Sequence, residues 1–285
     1  MSRSRLLELG DFNQLAAVRD GYLLYNCNDR YIGRSIEQYG EFSASEMNLF
    51  EQICKPDDIV IEVGANIGAH TVGLARLVGP QGRVLAFEPQ RLPFQMLCGN
   101  IALNNLENVD CFWSAVGSQD GLIVVPELNP REETNFGGLT LLGAQNGRRV
   151  ACQMLDRYVT LPRLDLIKID VEGMEDEVIR GGEQLLKQFK PILYVENDRL
   201  ERSEALTRLI ASFGYRMYWH LPPLFNPDNF FANSENLFPT IVSINMLCVH
   251  RDVELPLRGF KEIVDFTSHP KRGDAFLGDQ DTHEI

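Results

Sequence analysis

The chain is poor in several things, and each shortage excludes something. Its six cysteines, Cys27, Cys54, Cys98, Cys111, Cys152 and Cys248, form no C-x-x-C pair and no regular framework. That argues against a zinc knuckle, a redox dithiol and a disulfide scaffold. Set among apolar residues, they read as reduced thiols acting as small hydrophobes. No apolar run approaches the ~20 residues of a membrane-spanning helix, and the mean hydropathy is −0.16. Basic residues near the start are followed by no apolar stretch, so no secretory signal is expected. Positive charge is also scarce: 27 Lys and Arg stand against 40 Asp and Glu, a formal net charge of −13. Such a surface repels phosphate backbones, so a nucleic-acid partner is not expected. Repeats and low-complexity tracts are missing too. Collagen, coiled coil, disorder and a membrane channel are excluded, and the expectation is a soluble, cytoplasmic globular protein. With 285 residues, 44% of them hydrophobic, it can bury a core without staples.

What the chain does have is alternation. An N-terminal extension, residues 1–56, holds the strand-like run GYLLYN and then Ser43-x-x-Glu46. That spacing is a capping box, in which two side chains satisfy the first free amides of a helix. From residue 57 to 264 strands and helices take turns. Ile59–Val63 is a nearly unbroken apolar run, as expected of a strand covered on both faces. Further strands are expected at Arg83–Phe87 and at 109–116, 164–169, 191–195, 215–219 and 240–249. Leu206, Leu209, Ile210 and Phe213 recur at helical spacing. Residues 121–155 read as a β-rich excursion, 221–239 as an aromatic loop and 265–285 as a polar, frayed tail. The pattern predicts an α/β fold, a doubly wound, mostly parallel sheet. With no helix between the last two strands, the final one is expected antiparallel.

Ligands of such sheets bind outside the carboxyl ends of the strands. The first of these ends reads Glu62-Val-Gly64-Ala65-Asn66-Ile-Gly68 and leads straight into a helix. Glycines there let the chain turn and let a ligand approach main-chain amides. It departs from the dehydrogenase pattern G-x-G-x-x-G: Asn66 replaces the glycine that admits a pyrophosphate, and Glu62 adds a negative charge. A positively charged ligand suits this loop better than a dinucleotide. Glu88, two dozen residues beyond Gly64, stands where an acid meets ribose hydroxyls. Ser114 and Ala115 close the third strand, where an adenine is flanked.

Taken together, E-V-G-A-N-I-G-A-H-T, A-F-E-P-Q, K-I-D-V-E-G-M-E and Y-V-E-N-D resemble the FkbM family of S-adenosylmethionine-dependent methyltransferases over residues 21–249. The resemblance implies a Rossmann-like class I methyltransferase fold and an O-methyltransferase activity. It also implies that Glu62, Gly64, Ala65, Asn66 and Gly68 form the cofactor loop, that Glu88 binds the ribose, and that Ser114 and Ala115 border the adenine.

Methyl transfer to a hydroxyl needs a home for the proton or a metal on the oxygen. Asp170 ends one strand and Glu196-Asn197 the next. Asp170, Glu196 and Asn197 offer hard oxygen ligands that Mg²⁺ accepts. The alternative is that Asp170 and Glu196 orient cofactor or substrate by hydrogen bonds. His220, at the mouth of the aromatic loop, is the candidate general base, against a loop anchor as the plain reading. His70 reads as structural or cofactor-adjacent. The loop 221–239, with four phenylalanines and four prolines, is the expected acceptor wall or lid. The acceptor itself is expected to be small and polar, a sugar or a glycosylated metabolite; an N-methyltransferase, an NAD(P)-dependent oxidoreductase and a homodimer stay open.

Overall fold

The computed structural model describes residues 5–8 and 10–272. Three short strands come first, β1 (Arg5–Glu8), β2 (Asn13–Val18) and β3 (Gly21–Asn26), an antiparallel sheet of its own. Helices α1 (Ile32–Tyr39) and α2 (Ala44–Ile53) follow. Then the alternation begins: β4 (Ile59–Val63), α3 (Ala69–Val78), β5 (Arg83–Phe87), α4 (Arg91–Leu103) and β6 (Val109–Phe112). An excursion holds β7 (Ala115–Val116), β8 (Gly121–Val125) and β9 (Arg148–Gln153). The fold closes with α5 (Leu155–Tyr158), β10 (Leu166–Ile169), α6 (Glu175–Gly181), α7 (Glu183–Phe189), β11 (Ile192–Glu196), α8 (Leu200–Ser212), β12 (Tyr215–His220) and β13 (Asn245–His250).

The main sheet has seven strands in the order β12-β13-β11-β10-β4-β5-β6. All pairings are parallel except those of β13, which is antiparallel to β11 and to β12. The last strand is therefore the antiparallel one, as the missing helix requires, and it inserts one place in from the edge. Strand order reverses between β4 and β10, which places the switch point beside the loop after β4.

Period-two alternation sorts the core into two layers. Ile61, Val63, Leu85, Ile167, Leu193 and Met246 face α6, α7 and α8. Val60, Val84, Leu166, Tyr194 and Leu247 face α2 and α3. On that second face the register lines up Glu62, Lys168 and Tyr194, all buried. Three polar side chains in one buried row are costly unless they serve each other or a ligand.

Several expectations need correction. Ser43 does not cap α2: it takes a left-handed φ of 47° with no side-chain cap bond. Its hydroxyl donates instead to the Glu46 carboxylate, 2.7 Å. The stretch 109–116 is not one strand, because β6 pairs with β5 and β7 pairs with β9 in the small sheet β7-β9-β8. The tail does not fray from residue 265: His269 is buried, with Nε2 2.9 Å from the Asn197 carbonyl oxygen. Beyond residue 272 the expected frayed tail lies outside the described residues. No helix among the described residues is long and apolar enough to cross a membrane.

Candidate active site

A cavity of about 430 Å³ opens at the carboxyl ends of β4, β5, β10 and β11. The loop after β4 forms its floor. Gly64 has φ 85°, and a Cβ there would sit 1.8 Å from the Asp170 carbonyl oxygen, so only glycine fits between the strand ends. Gly68 (φ 83°) and Asn66 (φ 50°) complete the turn into α3.

Glu88 binds that loop from the side. Its Oε2 accepts the Asn66 N–H at 2.8 Å and its Oε1 the Gln90 N–H at 2.7 Å. Burial nevertheless pushes its carboxyl up to about 7, against those two bonds. Glu62, below the loop, accepts the Thr71 hydroxyl at 2.6 Å. Burial raises it also to about 7, opposed by the charge of Lys168. Ser114 is buried on the cavity wall, and its Oγ has no hydrogen-bond partner. Ala115 lies beside it. Every expected cofactor residue except Gly68, which underlies the loop, lines this one cavity.

The acids of β10 and β11 meet at its rim. Asp170, Glu172 and Glu196 bring one carboxylate oxygen each within 4.8 Å of one another. Crowding shows in their chemistry: burial, then the charge of Asp170, raises Glu172 to about 8 and Glu196 well above the ordinary range. Glu172 pairs with Arg199, while Glu196 Oε2 has no partner. Asn197 is not with them. One residue further along the chain it faces the other side, where its amide donates to Ser203 Oγ at 2.9 Å and contacts Met246 Sδ at 3.2 Å. The set Asp170, Glu196 and Asn197 is not assembled as a metal site, because the Asn197 side chain is held by Ser203 and Met246.

His220 does not reach the cavity wall either. Strand β13 stands between β12 and β11, so the imidazole is buried with Nδ1 2.7 Å from the Tyr194 hydroxyl. The four phenylalanines of the loop also turn away. Phe225 and Phe238 pack on Tyr39, Phe230 and Phe231 pack on Gly40, and Glu41 takes the Phe230 N–H at 2.9 Å. Of the loop only Leu224 faces the cavity, joined by the stretch Ile241–Asn245 that follows it. The aromatic wall comes instead from Tyr31 and Phe42 of the N-terminal region. Two further lining residues, Glu46 and Asn245, carried no motif in the sequence beyond Glu46's supposed cap. His70 lines the cavity too, packed against Phe42 and Phe50.

Comparison with known proteins now decides the family. The methyltransferase FkbM domain matches residues 62–217, from the end of β4 into the first half of β12, and so takes in the carboxyl ends of β4, β5, β10 and β11. The chain belongs to the FkbM methyltransferase family. It is similar to methyltransferase sdnD of Sordaria araneosa, 28% identical over 158 residues, 44% of this chain and 60% of that protein. It is equally similar to methyltransferase 1 of Beauveria bassiana, 28% identical over 149 residues, 44% of this chain and 59% of that protein. The matched region thus spans about 60% of the length of these curated relatives. Among solved structures, the FkbM methyltransferase of Methylobacillus flagellatus KT is 18% identical, with TM-score 0.46, covering 67% of this chain and 43% of the other. The doubly wound sheet with its antiparallel final strand is the class I methyltransferase architecture that the family predicts.

Proposed function

We propose that this FkbM-family chain transfers the methyl group of S-adenosylmethionine to a hydroxyl of a small polar acceptor. Glu88 is the observation that carries the reading. A buried carboxyl, already holding two loop amides, keeps one lone pair on each oxygen for a pair of vicinal hydroxyls. The rest of the cavity fits the same group. Ser114 Oγ is an unsatisfied buried polar atom where an adenine edge would lie, and Gly64 leaves room that a side chain would close. Charge supports a cation: the lining includes Glu46, Glu62, Glu88, Asp170, Glu172, Glu196 and Asp198 against Lys168 and Arg199. Burial and mutual repulsion hold most of these acids above their usual range, so a sulfonium relieves the crowding and draws them into their charged form, whereas a pyrophosphate adds to it, which disfavours a dinucleotide.

When bound, S-adenosylmethionine supplies an electrophilic methyl carbon. The chain's own part is to exclude water, hold the acceptor in line and receive its proton. Tyr31, Phe42, Leu224 and Ile241 give the acceptor end an apolar wall. Asp170, Ser243 and Asn245 supply polar contacts there. A sugar-containing acceptor follows from the family resemblance. An amine is the second reading, favoured by the same acids.

Incubation with methyl-tritiated S-adenosylmethionine and panels of glycosides, polyols and amines tests this. Label on a hydroxyl compound is the expected result. Label only on amines would replace O-methylation by N-methylation, and no binding of the sulfonium would overturn the class.

A further inference from the structure

Glu46 stands out among the cavity acids because its sequence role has been abandoned. At the third position after Ser43 it belongs on the surface of the first helical turn. Instead it is 4% exposed and lines the cavity from α2. Its carboxylate accepts the Ser43 hydroxyl at 2.7 Å and a hydrogen bond from the Ser243 hydroxyl. It also lies within hydrogen-bonding reach of the Tyr194 phenol. Tyr194 oxygen in turn is 2.8 Å from Asn245 Nδ2 and 2.7 Å from His220 Nδ1. Glu46, Tyr194 and His220 therefore form one buried chain whose first member faces the cavity and whose last does not.

A counter-ion role does not account for this placement. Lys168 already has Asp170 at 3.2 Å and Glu62 at 3.8 Å, so its charge is met without a third acid. A carboxylate brought to a cavity at the cost of desolvation, beside a cation that favours its ionised form, is suited to accept a proton.

We propose that Glu46 is the base that takes the proton of the acceptor hydroxyl, and that Tyr194 and His220 are positioning residues whose hydrogen bonds reverse as Glu46 becomes protonated. The inference rests on the O-methylation reading and names the base for it. In the step, the acceptor O–H bond breaks and a Glu46 O–H bond forms, while the acceptor oxygen gains the methyl carbon as the methyl–sulfur bond breaks and its electron pair goes to sulfur, releasing S-adenosylhomocysteine. With Glu46 ionised, the Tyr194 O–H donates to it, and the Tyr194 oxygen accepts from Asn245 and from a protonated His220 Nδ1. With Glu46 protonated, its own O–H donates to the Tyr194 oxygen. The phenol then donates to a bare His220 Nδ1, and the ring proton sits on Nε2. The tautomer of His220 thus reports the state of Glu46.

The charged and titratable groups facing Glu46 are Lys168 and Glu62 from the sheet, Asp170 at the end of β10, and Tyr194 from β11. The test is nitrogen-15 spectroscopy of the full-length protein labelled at histidine and saturated with S-adenosylhomocysteine, with the His220 signal assigned by its loss in His220→Gln. On raising the pH, the ring proton of His220 should move from Nε2 to Nδ1. Glu46→Gln should abolish that switch in a protein that circular dichroism shows to be folded. Tyr194→Phe, which keeps the ring and removes the link, should also abolish it if Glu46→Gln fails to fold. With an acceptor in hand, Glu46→Gln should lose about a hundredfold or more in turnover, the usual range for a general base. A pH-invariant tautomer in wild type, or an unchanged switch in Glu46→Gln and Tyr194→Phe, overturns the proposal. An amine acceptor would overturn O-methylation while leaving the tautomer result readable.

Discussion

Replacing Glu88 by alanine is the sharpest single perturbation of cofactor recognition. The carboxylate holds the Gln90 N–H at 2.7 Å and the Asn66 N–H at 2.8 Å, and each oxygen keeps a second lone pair for a ribose hydroxyl. Hydrogen bonds to a charged group contribute about 1.5–3 kcal/mol each. Two lost at the ribose amount to about 3 kcal/mol at the lower bound, or about a 150-fold rise in Kd. The variant also frees the two loop amides, so Asn66 loses its tether and the floor under the cofactor loosens in the same direction. Glu88→Gln should lie between: its amide oxygen can keep one loop N–H, but its NH₂ opposes the other. Isothermal titration with S-adenosylhomocysteine reads both variants, with circular dichroism as the check on folding. A folded Glu88→Ala protein that binds with wild-type affinity would refute the ribose assignment.

Three further outcomes follow from the same cavity. Glu62 and Glu88 sit at about 7 instead of 4.5, so between those values the folded chain holds protons that the unfolded chain has released. Ligand-free stability should therefore fall as pH rises from 5 to 8, by on the order of 2 kcal/mol per group, and urea midpoints that rise instead would contradict the burial argument. Gly64→Ala forces a Cβ to 1.8 Å from the Asp170 carbonyl at a positive φ; we expect a loss of about 3 kcal/mol or more, or no folded protein, by thermal denaturation. Because Asn197 is turned to Ser203 and Glu172 is paired with Arg199, methyl transfer should survive EDTA undiminished, and loss of turnover restored by Mg²⁺ would show that Asp170, Glu172 and Glu196 do hold an ion.

Sequence and structure agree where a property is local or periodic. The apolar run Ile59–Val63, the glycine turn after it and the helical spacing of Leu206, Leu209 and Ile210 each specify an element without reference to the rest of the chain. The place of Glu88 on the cavity wall was legible because the distance from strand to strand in such folds is nearly fixed. What failed depends on contacts distant in sequence. Ser43-x-x-Glu46 has the letters of a cap, but α2 packs so that the acid is buried on the cavity wall beside Ser243, a residue far away in sequence. Asn197 follows Glu196 directly, and strand alternation sends the two to opposite sides, so a neighbouring pair of ligand types need not share a ligand. His220 sits at the right end of the right strand; its distance from the cavity became visible only once β13 was seen to lie between. The loop phenylalanines looked like a binding wall, yet Tyr39 and Gly40 occupy them. Composition states which side chains are available, and packing decides which of them a ligand can touch.

The most direct test of the central claim is a thermal-shift series on the wild-type protein with S-adenosylmethionine, S-adenosylhomocysteine, NAD and NADP. A ligand at a hundredfold its Kd stabilises by about 2.7 kcal/mol, a rise of several degrees for a domain of this size. A shift with the two sulfur compounds and none with the dinucleotides is the result the cavity predicts. A shift with NAD or NADP alone would mean that the loop around Asn66 cradles a pyrophosphate after all, and the methyl-transfer reading would fall.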